Sequence, residues 1–212
     1  MIKKLRPLRH LALVVLAVSL AAGCAKMFTE PPRPLYRLTA PADFPATPRH
    51  VAAQLAIAAP YAPAAIDTAR IAMSRSPTSL DYLADGDWTD RASRLVQTAL
   101  IETFENSRSF TAIGSDSLDL RPDFILEGDL RHFEAVYDSP TAPPTIWVQI
   151  AVKLVKVPQH TILAETLIGA RQPASTNTTP DIVLAFDGAM AGAAKQIVAW
   201  VLANPGLSAP RK

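Results

Sequence analysis

The chain has 212 residues, with 21 basic side chains against 19 acidic ones and a single cysteine. A balance this close to neutral carries no broad electrostatic footprint for nucleic acid, and a lone cysteine excludes an internal disulfide. The length suits one domain plus a tether, large enough to bury a core that must be held by packing alone.

Lys3, Lys4, Arg6 and Arg9 precede an apolar stretch from Leu11 to Ala22, and Leu20-Ala21-Ala22-Gly23-Cys24 follows at once. A basic start, an apolar run too short for the ~20 residues of a span and small residues before a cleavage point describe a secretory signal. Small residues followed directly by Cys describe the more specific bacterial lipoprotein signal, although Ala21 stands where Leu is usual. On that reading residues 1–23 are removed and the Cys24 sulfur carries diacylglycerol. An acyl chain joins the new amino terminus, and the combined chains anchor where a single one holds only marginally. Cleavage takes four basic and no acidic side chains, leaving 17 against 19, so the basic pI belongs partly to the leader.

Residues 24–34 are proline-dense and aperiodic, and read as the lipidated Cys with an extended tether. Leu35-Tyr36-Arg37-Leu38 is a candidate first strand, and Val51 to Ala58 a fuller one. Ala64 to Ala69 reads as a short helical turn, followed by short strands at Arg70–Met73 and Leu80–Leu83. Thr89 or Asp90 is positioned to cap a helix with apolar residues at Ala92, Leu95, Val96, Ala99, Leu100, Thr103 and Phe104, ending at Asn106. Phe110 to Ile113 returns as a strand. Phe124, Leu126, Gly128 and Leu130 then alternate with polar residues until the parity shifts at Phe133 and Ala135, predicting a bulge near His132. Ile146, Val148, Ile150, Val152 and Leu154 share one face, and Thr161 to Arg171 completes a set of three antiparallel strands. A final helix begins at Thr179-Pro180-Asp181 and stops at Asn204-Pro205-Gly206. The predicted fold is α/β, a sandwich of a mixed β-sheet with two main helices, over residues 35–203, with 204–212 a disordered tail.

Catalytic constellations do not emerge from this pattern. His10, His50, His132 and His160 show no metal-ligand spacing, and no nucleophile elbow, P-loop or dinucleotide fingerprint occurs. Asp85-Gly86-Asp87-Trp88-Thr89-Asp90 reads as a turn entering a helix, too poor in oxygens for a calcium loop. Arg70, Arg91 and Arg94 either pair with these carboxylates or stay solvated. Ser175 to Thr179 reads as a capping loop, with an anion cradle as the alternative. Trp88 and Tyr82 are either core or binding surface, with core favoured for Trp88. Trp147 has the parity opposite to the apolar face of its strand, so it points outward and is a candidate contact for a partner or lipid. Catalytic residues: none; metal ligands: none; cofactor: none beyond the acyl anchor on Cys24.

Several short pieces recur in a familiar order. They are Cys24 with its tether, Leu35-Tyr36-Arg37-Leu38, Ile66-Asp67-Thr68-Ala69-Arg70-Ile71-Ala72, Leu80-Asp81-Tyr82-Leu83, Asp87-Trp88-Thr89-Asp90-Arg91, Phe104-Glu105-Asn106-Ser107 with Phe110, Asp123 to Gly128, and the closing helix. This order resembles the ABC-type transport auxiliary lipoprotein family over roughly residues 34–202. The resemblance implies a periplasmic domain similar to the anticodon-binding-like fold, anchored in the outer membrane. Its implied partners are an MCE-domain protein and, through it, an ABC permease and ATPase that move phospholipids or other hydrophobic molecules. A homo-oligomer is compatible with it, and Ala25 rather than Asp after the Cys agrees with outer-membrane sorting. The competing readings are a stand-alone envelope lipid carrier, which needs an enclosed apolar cavity, or an envelope enzyme built on Asp85 to Asp90.

Overall fold

A computed structural model describes residues 32–44, 49–116 and 121–208. The signal, Cys24 and most of the tether lie outside the described residues. Among the described residues, eight strands form one mixed sheet. They are β1 (Leu35–Tyr36), β2 (Val51–Ile57), β3 (Arg70–Ser76), β4 (Ser79–Trp88), β5 (Phe110–Ser115), β6 (Phe124–Val136), β7 (Thr145–Lys156) and β8 (Thr161–Pro173). Two helices, α1 (Ala92–Ser107) and α2 (Thr179–Ala203), complete the sandwich with the predicted composition.

Strand β6 organises the sheet because it is long enough to serve two neighbours along one edge. Its first residues pair in parallel with β2 (Leu55 opposite Phe124), and its last pair in parallel with β3 (Met73 opposite Ala135). The opposite edge pairs antiparallel with β7, and β7 in turn with β8. The predicted bulge is present, as the β6–β7 register shifts between Leu130 and His132. One-sided alternation follows: Ile146, Val148, Ile150, Val152 and Leu154 are all buried, while the odd-numbered positions from Trp147 to Lys153 lie on the other face.

Helix α2 has 25 residues and is apolar enough by length and composition to cross a membrane. Here it is a core helix: Ile182, Phe186, Met190, Ala193, Ala194, Ile197 and Val201 are buried, and it lies on β7 and β8 and against α1. Small residues allow that approach, with Gly192 opposite Ala170 and Gly188 opposite Gln172. Trp88, Phe133 and Phe186 form the aromatic centre, with ring centroids 5.0–5.6 Å apart, a spacing that adds to area burial. Trp88 is thus core, and its indole N–H finds no hydrogen-bond partner.

Three expectations are corrected. Asp85 to Trp88 is not a turn; it is the end of β4, which runs beyond Leu83 because β1 pairs alongside it, Leu35 with Asp87 and Tyr36 with Trp88. Helix α1 begins at Ala92, and neither Thr89 nor Asp90 caps it: Arg91 is the N-cap and gives no side-chain bond. The tail is not disordered from 204, since Pro205–Ser208 is a 3-10 turn with Leu207 buried in the core; residues 209–212 lie outside the described residues.

Candidate functional site

Trp147 lies on the sheet face opposite the helices, as its parity predicts, and it is not isolated. On β7 it stands opposite Glu134 of β6 and Arg171 of β8. The Arg171 guanidinium carbon sits 4.1 Å from the Trp147 ring centroid, a cation–π distance. The imidazole of His132 stacks on the indole, with centroids 3.4 Å apart and planes within 9°. His132 Nδ1–H donates to Glu134 Oε1 at 2.7 Å, and Glu134 is only 7% exposed. The shift at Leu130/His132 turns His132 and Glu134, two residues apart on one face, onto the side of the sheet that carries Trp147. The structure holds His132 by a stack and a hydrogen bond; the sequence reading noted it only for a bulge and for lacking metal-ligand spacing. Arg171 and Glu134 were missed there; the His-x-Glu spacing is the signal that would have found the pair.

A groove of about 750 Å³ opens beside this cluster, between it and the β3–β4 hairpin. Arg75, Leu80, His132, Glu134, Tyr137 and Trp147 are among its walls. Arg75 lies 5.6 Å over the Tyr137 ring, and burial raises the Tyr137 phenol above its usual value of 10.0, with Arg75 opposing. The arrangement is an aromatic platform flanked by charges of both signs, suited to gripping a surface by stacking and paired hydrogen bonds.

The other residues singled out from the sequence have structural partners. Asp67 Oδ1 accepts from the Ser93 backbone N–H (3.2 Å) and hydroxyl (2.7 Å), so a residue from a distant turn caps α1. Arg91 approaches the same carboxylate at 3.8 Å. Arg70 stacks over Tyr82 at 4.1 Å, the Tyr82 hydroxyl donates to Ala65 O, and Arg94 donates to Gln97. The Ser175–Thr179 loop holds its own anion: Thr176 Oγ1 donates to Asp181 Oδ2 at 2.5 Å, and this bond holds the carboxyl below its usual value. His50 contacts Arg108 O, and His160 occupies a left-handed turn position. Among the described residues no group of three or more His, Cys, Asp or Glu side chains is placed to hold a metal.

Residues 36–198 match the family described as ABC-type transport auxiliary lipoprotein component. The chain belongs to this family. A crystal structure of protein XCC0632 from Xanthomonas campestris, assigned to the DUF330 family, is similar with a TM-score of 0.70 and 26% identity, over 82% of this chain and 95% of that one. A second crystal structure, of an uncharacterised protein, shares the fold at 12% identity with a TM-score of 0.63, over 81% and 99% of the two chains. An uncharacterised protein of Bradyrhizobium diazoefficiens, bll6063, is 27% identical over 170 residues; the match covers 79% of this chain but only 44% of that relative's length. Membership of a lipoprotein family associated with ABC transport places the domain at the cell envelope.

Proposed function

We propose that this protein is the lipid-anchored auxiliary subunit of an MCE-type intermembrane transport system, held in the outer membrane through Cys24 with its domain in the periplasm. It acts by binding an MCE-domain protein, and through it an ABC permease and ATPase, and performs no catalysis. Phospholipid or another hydrophobic solute is the cargo of the assembly. The observation that carries this reading is the family match over residues 36–198, which covers the sheet from Tyr36 onward and α2 as far as Val198. A lipoprotein-type Cys24 one short tether ahead of that domain supports it. The Trp147–Arg171–His132 platform supports action by contact, because its aromatic and charged groups offer a partner surface rather than a reacting pair.

The test is affinity purification of the full-length chain from detergent-solubilised envelopes. Enrichment of an MCE-domain protein together with an ABC permease is the expected result. Recovery of that transporter intact from the same envelopes without this chain would overturn the proposal. Stoichiometric lipid bound to the isolated protein, with no partner, would favour a stand-alone carrier instead. Cys24→Ser is expected to release the chain from the membrane fraction.

A further inference from the structure

Strand β8 is the long free edge of the sheet. Among the described residues Thr161–Pro173 pairs with β7 alone. Such an edge presents a row of unpaired N–H and C=O groups, a template for another strand unless something blunts it. Its two ends are blunted and its middle is not. The register with β7 shifts between Leu154 and Val155, which leaves Leu163 as the extra residue, and Pro173 has no N–H to offer. Between these limits Ala164–Gln172 is regular, with Ile168 at its centre.

On the face opposite the helices this stretch carries Glu165, Leu167, Gly169 and Arg171, and Leu167 is 48% exposed. We infer that the β8 edge pairs antiparallel with the β8 edge of a second copy of this chain, about a two-fold axis at Ile168. That register sets Glu165 opposite Arg171 of the second copy, and Arg171 opposite its Glu165. It also sets each Leu167 over a Gly169, which has no side chain to obstruct it. Both ends of the regular stretch coincide, Ala164 facing Gln172.

Other registers lose these matches. An odd offset sets residues of the two faces against each other. Centring on Glu165 or Arg171 opposes like charges. Centring on Thr166, Leu167, Gly169 or Ala170 leaves Glu165 and Arg171 without opposite charges and runs one end of each strand into the Leu163 bulge or Pro173. Charge, side-chain size and strand limits all select Ile168. The inference does not rest on the identity of the transporter partners.

The experiment is disulfide trapping in native membranes, with full-length Glu165→Cys and Arg171→Cys chains carrying different tags and expressed together. Both positions are exposed, and thermal unfolding of each variant checks that the fold is kept. A mixed dimer is expected, with each variant alone staying at the background of the natural chain, whose only cysteine is Cys24. Separately, Glu165→Arg is expected to raise the dimer dissociation constant by about tenfold or more, through like charges at two symmetric positions, and Glu165→Arg with Arg171→Glu to restore it. Absence of the mixed dimer between folded chains overturns the inference. So does an equally strong dimer from Glu165→Cys alone, which would mean another register, or capture of a different protein at these thiols.

Discussion

Replacing Asp67 by Ala tests whether α1 is held from outside itself. The first backbone N–H groups of a helix have no internal partner, and the N-cap residue Arg91 supplies none from its side chain. Asp67 Oδ1 takes the N–H of Ser93 at 3.2 Å and its hydroxyl at 2.7 Å. Loss of a capping acceptor costs about 1 kcal/mol. The Ser93 hydroxyl belongs to a residue 8% exposed, and stranding it adds about 1–2 kcal/mol. The Arg91 contact is worth a few tenths of a kcal/mol at most, because the arginine side chain is 69% exposed. Together the loss is about 2–3 kcal/mol, or about 5–10 °C in Tm for a domain of this size. Asp67→Asn keeps the accepting oxygen and should cost under about 1 kcal/mol. Urea and thermal unfolding of the two variants provide the assay. If Asp67→Ala unfolds within about 0.5 kcal/mol of the natural chain, or if Asn is as damaging as Ala, the remote-cap reasoning fails.

Gly86→Ala is expected to destabilise by about 1–3 kcal/mol through overpacking, because an added Cβ lies 2.6 Å from the Tyr36 ring and 3.2 Å from Thr179 Cγ2; equilibrium unfolding should show a smaller cost in a Tyr36→Ala background. The Asp43 and Asp181 carboxyls are held below the ordinary value of 3.8, first by hydrogen bonds from Lys195 and Thr176 respectively. A depressed folded pKa gives stability that is present above 3.8 and lost as pH falls through the lower folded value, so Asp43→Asn and Asp181→Asn should each flatten the acid limb of a stability–pH profile. Added salt should weaken the Asp43 effect, since its partner Lys195 is partly exposed. Asp187→Ala removes the acceptor of both the Thr39 N–H and hydroxyl bonds, each 2.6 Å. The expected result is faster proteolysis and amide exchange over residues 37–44, with little change in global unfolding.

Long alternating strands and the closing helix were legible because burial on one face imposes a period that tertiary contacts do not disturb. The β6 bulge was legible for the same reason, since inserting one residue flips the parity of everything after it. The helix α1 boundary was not, because its cap comes from Asp67, 26 residues before Ser93, and no local pattern encodes a remote acceptor. Asp85 to Trp88 misled for a related reason. Acidic residues and a glycine favour turns locally, yet here β1 pairs beside them and the glycine makes room for Tyr36. Trp147 could be placed on the correct face from parity alone. Its stack with His132 depends on the pairing of β6 with β7 across the bulge, which no single strand reveals.

The chain leading from Cys24 joins the domain at β1, and the segment beyond it is laced to both helices. Asp187 and Lys195 of α2 hold Thr39 and Asp43, and Asn106 of α1 donates to Pro41 O. In pairing order β1 and β8 are separated by β4, β3, β6 and β7, five strand spacings or about 24 Å. Strand β1, where the described domain begins, and the β8 edge thus lie on opposite borders of the sheet. Two copies paired through β8 in the inferred register are related by an axis normal to the sheet. Both copies then present the Trp147 platform on one face of the joined sheet and the helices on the other.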